Sequence, residues 1–264
     1  MNIFLKELKS HGKSLIIWCI AMFFMIVSSI GKFTAYAETG RSMSELLSQI
    51  PKPIKAVLGM GDFDLTKVSG FYGMLYLYLL LLATIHAALL GADIISKEER
   101  DKTAEFLLVK PVSRSKIVTS KLFASLFNIA AVNIVTLFFS ILLMAKYSGG
   151  EDITREIYVL MLGMFILQTL FLSLGTASAA VTKNPGAASS SVTAILLASF
   201  IISSLINMNG RLERLKYITP FEYFRAEKLL SVGFEPVFLF LSFVIITSLL
   251  IVTYASYKKR DLKV

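Results

Sequence analysis

Apolar residues in this chain come in long unbroken blocks, not in the short alternations that build a soluble core. Six blocks contain no Asp, Glu, Lys or Arg: Ser14–Gly31, Phe71–Ala92, Leu122–Ala145, Ile157–Val181, Ala187–Asn207 and Pro236–Ala255. About 20 apolar residues in a helix cross the hydrocarbon core of a bilayer. Within lipid, a helix satisfies every backbone donor and acceptor internally. The pattern therefore predicts an all-α membrane protein with six transmembrane helices. Residues 1–264 form a single transmembrane domain, and a charged loop at 93–121 joins the second and third spans.

Composition agrees with the pattern. Of 264 residues, 55% are hydrophobic and 17% are charged, against about 25% charged in a typical soluble domain. Mean hydropathy is +0.70. The single cysteine, Cys19, lies in the first block and excludes an intrachain disulfide. That block is longer than a signal-peptide core, so it is expected to stay as an uncleaved anchor despite the "AYA" at 35–37. Six spans place both termini on one side. The N-terminal tail, the loops at 93–121 and 182–188 and the C-terminal tail carry 15 Lys and Arg against 7 acids; the other three loops carry 12 against 11. The positive-inside rule puts the first set, with both termini, in the cytoplasm. The basic balance then reflects topology and attraction to anionic membrane lipid, with no need for nucleic acid as a partner.

Between the spans, several segments read as short helices. In "MNIFLKELKSHGK", Ile3, Phe4 and Leu8 share a helical face, as in an interfacial helix that turns into the first span. A simple basic flank is the equal alternative. On the outer side, "SMSELLSQI" opens with a capping box from Ser42 to Glu45, and "PKPIKAVLGMGDFD" reads as a second short helix ending near Gly59. In the 208–235 loop a helical stripe is broken at Pro220, and Tyr217, Phe221, Tyr223 and Phe224 suit the headgroup layer. "TKNPGA" supplies the turn between the fourth and fifth spans. The small residues of Ser173–Ala180 and Ala187–Ser191 predict that these two spans pack as a tight antiparallel hairpin.

Several chemistries are excluded. "GKS" at Gly12–Ser14 lacks the upstream glycine of a phosphate loop, because position 7 is Glu7, and a membrane span follows it. Two distant histidines, His11 and His86, do not make a zinc protease. No span carries an internal carboxylate of the kind that ion-coupled transport uses. His86 is expected to donate to a carbonyl of a neighbouring helix, and Asn128, Asn133 and Gln168 to bond between helices. The chain is expected to be no enzyme in itself and to hold no cofactor or metal, so energy for transport must come from elsewhere.

The stretch "KEERDKTAEFLLVKPVSRSK", Lys97–Lys116, is the most charged in the chain. Ser96 and Glu99 read as a capping box, Pro111 ends a short helix containing Phe106–Val109, and Ser113 caps a helix running through Lys121 into the third span. An apolar turn ringed by both charge signs fits the groove of a protein partner; burial in the protein's own lipid is the alternative.

This stretch resembles the signature loop of permease subunits in bacterial type-2 ABC exporters. The matching residues are Glu98, Glu99, Thr103, Glu105, Leu107, Leu108, Pro111, Val112, Ser113 and Arg114. The order of elements also resembles that family along nearly the whole chain. Lys102 stands where the family usually has glycine and is expected to straighten the local turn. The resemblance implies a coupling helix, roughly Asp101–Val109, that docks into a separate ABC ATPase through Glu98, Glu99, Thr103, Glu105, Phe106, Leu107, Leu108, Pro111 and Arg114. ATP and Mg would be held by that partner. It also implies pairing with a second permease, a copy or a homologue, and residence in a bacterial cell membrane. A non-transport anchor or sensor that recruits a cytosolic protein, or a channel, remains the alternative from the residues alone.

Overall fold

The computed structural model describes residues 3–39, 49–51, 54–55, 58–61, 63–103, 112–147, 150–182, 184–208 and 210–259. These form helices α1 (Ile3–Thr39), α2 (Val68–Arg100), α3 (Arg114–Tyr147), α4 (Thr154–Val181), α5 (Pro185–Met208), α6 (Ala226–Ser231) and α7 (Pro236–Lys259), with 3-10 helices at Gly210–Tyr217 and Pro220–Phe224. No strand occurs among the described residues. All helices but α6 are long and apolar enough to cross a membrane. Each contains one of the six uncharged blocks and overruns it, because helical hydrogen bonding continues into the polar flanks. Two begin on proline, Pro185 and Pro236, where the missing amide proton costs nothing.

The N-terminal segment is not a separate interfacial helix. It is continuous with the first span in one helix of 37 residues, about 55 Å long at 1.5 Å per residue. Ile3 is buried, and Phe4 and Leu8 pack on the same small core as Ile94, Ile95, Ile117 and Val118. This apolar face is covered by α2 and α3, which holds the segment in line with the span.

α2 and α4 form the centre. Their most apolar windows are 67% and 61% buried, against 17% for α7. Two glycines set how closely they approach. A Cβ at Gly175 would lie 2.8 Å from the Ala92 amide nitrogen and closer still to the Ala88 carbonyl oxygen; one at Gly91 would strike the Leu172 carbonyl. In lipid, where no hydrophobic effect draws helices together, such backbone contact is a principal source of association. The small residues of Ser173–Ala180 therefore serve mainly α2, not the expected hairpin with α5. α5 does touch α4, with Ser178 Oγ donating to the Ala188 carbonyl at 3.3 Å, and its first turn is capped by Asn184 Oδ1, which accepts from the Gly186 amide at 3.0 Å. Yet Gly186, Ser190, Ala194 and Ala198, four apart on α5, are all exposed on its outer side.

The outer surface of the bundle is apolar. Ile17, Phe24, Phe123, Ile134, Phe138, Leu162, Phe240, Phe243 and Ile251 are each more than half exposed. A water-soluble protein does not expose apolar surface on this scale, so lipid is its natural solvent. Inside, Tyr72 donates to Ser140 Oγ at 2.8 Å, and Asn133 joins α3 to α4 through Gln168 Oε1 at 3.1 Å and the Met161 carbonyl at 3.2 Å. Asn128 departs from expectation: its amide bonds the Ala124 carbonyl of its own helix. His86 also departs. Its ring packs against Trp18 at 5.1 Å between centroids, and Nδ1 has no hydrogen-bond partner among the described residues.

At the end of the bundle opposite the termini, Pro220 breaks the 208–235 segment as predicted, giving two 3-10 helices and α6. Three of the four aromatics are not free to meet a headgroup layer: Phe221, Tyr223 and Phe224 are buried at 3% exposure or less, while Tyr217 is open, as expected. Pro220 turns the chain inward, so these rings enter the core beside Phe171 and Phe238. Of the two short helices expected in 32–70, the first falls mostly on residues 40–48, which lie outside the described residues. For the second, helical hydrogen bonds run from Ile54 to Pro51 and from Leu58 to Ile54, and Gly59 ends the turn at φ +68°.

Candidate coupling site at the termini-bearing end

Ser96 does not cap a new helix. It lies inside α2, its hydroxyl donating to the Ala92 carbonyl at 2.7 Å, because nothing between Ala92 and Arg100 interrupts the helical ladder. α2 runs on to Arg100 before it ends. The Thr103 amide donates to the Glu98 carbonyl at 2.8 Å and the Lys102 amide to the Glu99 carbonyl at 3.3 Å, the paired bonds of a Schellman cap. That cap requires a left-handed residue, and Lys102 supplies it at φ +55°. The turn is therefore sharp, not straightened. Glycine holds this conformation without the steric cost of a Cβ, which is about 1–2 kcal/mol per residue. Lys102→Gly is accordingly expected to stabilise the end of α2 by about 1 kcal/mol. Slower hydrogen exchange at the Lys102 and Thr103 amides would show it; unchanged or faster exchange would contradict the left-handed turn.

Residues 104–111 lie outside the described residues, and with them Glu105, Phe106, Leu107, Leu108 and Pro111. Beyond them Ser113 caps α3 as expected, its Oγ accepting from the Lys116 amide at 3.3 Å. Arg114 turns toward α7, where its guanidinium donates to the Lys258 carbonyl at 3.1 Å and the Tyr257 carbonyl at 3.4 Å. A cation on the last carbonyls of a helix satisfies orphan acceptors and complements the helix dipole.

Where α1, α2 and α3 meet at this end lies a buried ionic cluster. Lys121 is fully buried and donates to both carboxylate oxygens of Glu98 at 2.7 Å and to the Ile94 carbonyl. Its Nζ is 3.6 Å from Oε1 of Glu7, which is 1% exposed. Lys97 pairs with the other oxygen of Glu7 and reaches Ser10 Oγ at 3.3 Å. His11 Nε2 lies 3.9 Å from Glu7, and Nδ1 4.0 Å from Asp93, which pairs with Arg100. The core of the cluster is two acids and two bases, neutral as a set. Among the described residues no group of His, Cys, Asp and Glu is arranged to hold a metal ion.

The structure thus divides the sequence-predicted residues. Glu98 faces inward to Lys121, Arg114 faces α7, Glu99 is half-buried and Thr103 is exposed. Glu7, Lys97 and Lys121 are partners that sequence reasoning passed over. The signal was present for one of them: Glu7 sits among Ile3, Phe4 and Leu8 near an otherwise apolar helical face, where an unpaired carboxylate is costly.

A second set of charges borders a cavity of about 510 Å³ at the opposite end, lined in part by Lys55, Glu213, Glu222, Arg225 and Glu227. Its charges are largely spent on one another. Buried Glu222 accepts from Ser203 at 2.6 Å and Asn207 at 3.1 Å, and lies 3.4 Å from Arg225 and Lys228.

The termini-bearing end, with its sharply capped α2, locked base and long charged loop, invites comparison with known membrane proteins. The sequence profile of a family described as "ABC-2 family transporter protein" matches residues 1–262. The chain belongs to the ABC-2 transporter family. A search of curated proteins finds no match to it. Membership accounts for a multi-pass membrane protein in a permease role, and the six apolar helices meet that description. Gly12–Ser14 lie in mid-helix within α1, which is not the geometry of a phosphate loop.

Proposed function

We propose that this protein is the transmembrane subunit of an ATP-driven exporter, forming half of the translocation pathway and driven by a separate ABC ATPase docked on the 93–121 loop. The observation that carries the reading is the ABC-2 family match across residues 1–262, in a chain whose sequence offers no nucleotide-binding motif. Hydrolysis then belongs to a partner that holds ATP and Mg. The loop between α2 and α3 is the segment that receives it, with Glu99, Thr103, Glu105, Phe106, Leu107, Leu108 and Pro111 as contacts. Glu98 and Arg114 act differently from the contact role implied by resemblance, since they hold the loop's two ends.

The distribution of Lys and Arg supports a cytoplasmic location for both termini and for this loop, and the resemblance to bacterial exporter permeases suggests a bacterial cell membrane. Pairing with a second permease is supported by the exposed row Gly186, Ser190, Ala194 and Ala198, whose small side chains permit close helix approach.

A loop variant tests the docking site. Glu105→Arg with Leu108→Asp places a reversed charge and a carboxylate in the apolar contact. Loss of two central contacts of about 2 kcal/mol each would weaken binding by more than roughly a hundredfold. The variant is expected to insert and purify normally while losing its ATPase on gentle solubilisation. Retention of the ATPase at the wild-type ratio would remove the docking role from this loop.

A further inference from the structure

The buried cluster ties together elements that the docking reading treats separately. Lys97 and Glu98 lie where the chain enters the loop, and Lys121 lies where it leaves. Glu7 comes from α1, outside the loop altogether, and among the described residues both lysines pair with it.

We propose that Glu7, Lys97, Glu98 and Lys121 form a clamp that makes the first turns of α1 and both ends of the 93–121 loop one rigid body, so that a displacement of the loop is carried into α1 as well as into α2 and α3. The proposal rests on the coupling reading for the source of the displacement, but the clamp itself does not.

Three observations carry it. First, the pairs cross three helices: Glu98 to Lys121 closes the base of the loop at 2.7 Å, and Glu7 bridges Lys97 and Lys121. Second, all four side chains are at most about a tenth exposed, so water does not compete for their bonds, and separating any acid from its bases strands a charge in a low-dielectric interior. Third, α1 is unbroken from Ile3 to Thr39, so a movement imposed at Glu7 is transmitted along the entire first span. The adjoining apolar residues Ile3, Ile94, Ile117 and Val118 pack around the same point. Packing fixes the distance between these helices, and the ion pairs fix their register. A buried charged network has few alternative arrangements that leave every charge satisfied.

The test is a distance measurement in nanodiscs. In a Cys19→Ala background, spin labels at exposed positions 9 on α1 and 116 on α3 are read by pulsed electron resonance. The intact clamp should give one narrow distance, both in the chain alone and in the complex trapped with MgATP and vanadate. Glu7→Gln with Lys97→Met removes the α1–α2 pair with little change of volume, leaving Glu98 and Lys121 in place, and should broaden the distribution in both states. Should that variant fail to give monodisperse protein, Glu7→Asp keeps the charge but shortens its reach, and is expected to broaden the distribution as well. A distribution that stays narrow in the variants would show that the ion pairs do not hold α1. A wild-type distance that shifts on trapping would show that α1 moves independently of the loop. If no ATPase accompanies the chain, the coupling reading fails, and the measurement on the chain alone still decides whether the clamp exists.

Discussion

Gly175→Val is expected to break the bundle at its centre. The first atom of the new side chain would lie 2.8 Å from the Ala92 amide nitrogen and closer to the Ala88 carbonyl oxygen. Both obstructing atoms are backbone, so no rotamer change relieves the clash and α2 must move away from α4. Overpacking of a core costs about 1–3 kcal/mol when side chains can adjust. Here the backbone is the obstacle, and about 3 kcal/mol or more is expected, lowering the thermal midpoint by roughly 10 °C for a chain of this size. Trp18, the single tryptophan, gives the readout by scanning fluorescence. Gly12→Ala is the control. It meets nothing within 4 Å, and removing a mid-helix glycine is worth up to about 1 kcal/mol in the opposite direction. A Gly175→Val protein melting with the wild type would mean that α2 and α4 are not in contact there.

Lys121→Met is expected to be nearly as damaging, for an electrostatic reason. It leaves Glu7 and Glu98 with Lys97 as their only cation within the core of the cluster, in a place that water does not reach. Breaking a buried pair by removing one partner costs about 3–5 kcal/mol, because the remaining charge is uncompensated. Glu98→Gln in the same protein removes that charge and should restore much of the loss. The double variant is therefore expected to melt well above the sum of the single effects, a coupling of up to about 3 kcal/mol. Strict additivity in this cycle would show that Glu98 and Lys121 do not interact.

Six spans were legible in the sequence because a hydrocarbon solvent leaves a one-dimensional record: blocks without Asp, Glu, Lys or Arg, each long enough to cross. Which helices touch leaves no such record. The small residues from Ser173 to Ala180 announced close packing, but their main partner is α2 and not the neighbouring α5, since the choice depends on where Gly91 and Gly175 fall in three dimensions. The aromatics after Pro220 were misplaced for a similar reason. An aromatic ring suits both a headgroup layer and a core, and only the inward turn at Pro220 decides between them.

The candidate site was legible in part. Ser113 was found because a cap is a local feature, written within four residues. Glu98 was found by resemblance, yet its inward direction depends on Lys121, 23 positions away. Lys102 was read as a departure that would straighten the turn. The chain keeps the left-handed turn and accepts the steric cost, because the two cap bonds from Thr103 and Lys102 must still be made.

An ATPase partner is sought directly by gentle detergent extraction of the tagged protein from its native membranes, identification of what co-purifies, and assay of ATP hydrolysis. The predicted result is a stoichiometric ABC ATPase with vanadate-sensitive activity, lost when Leu107 and Leu108 are both changed to Asp. A stable, monodisperse protein that brings no ATPase with it would contradict the coupling role.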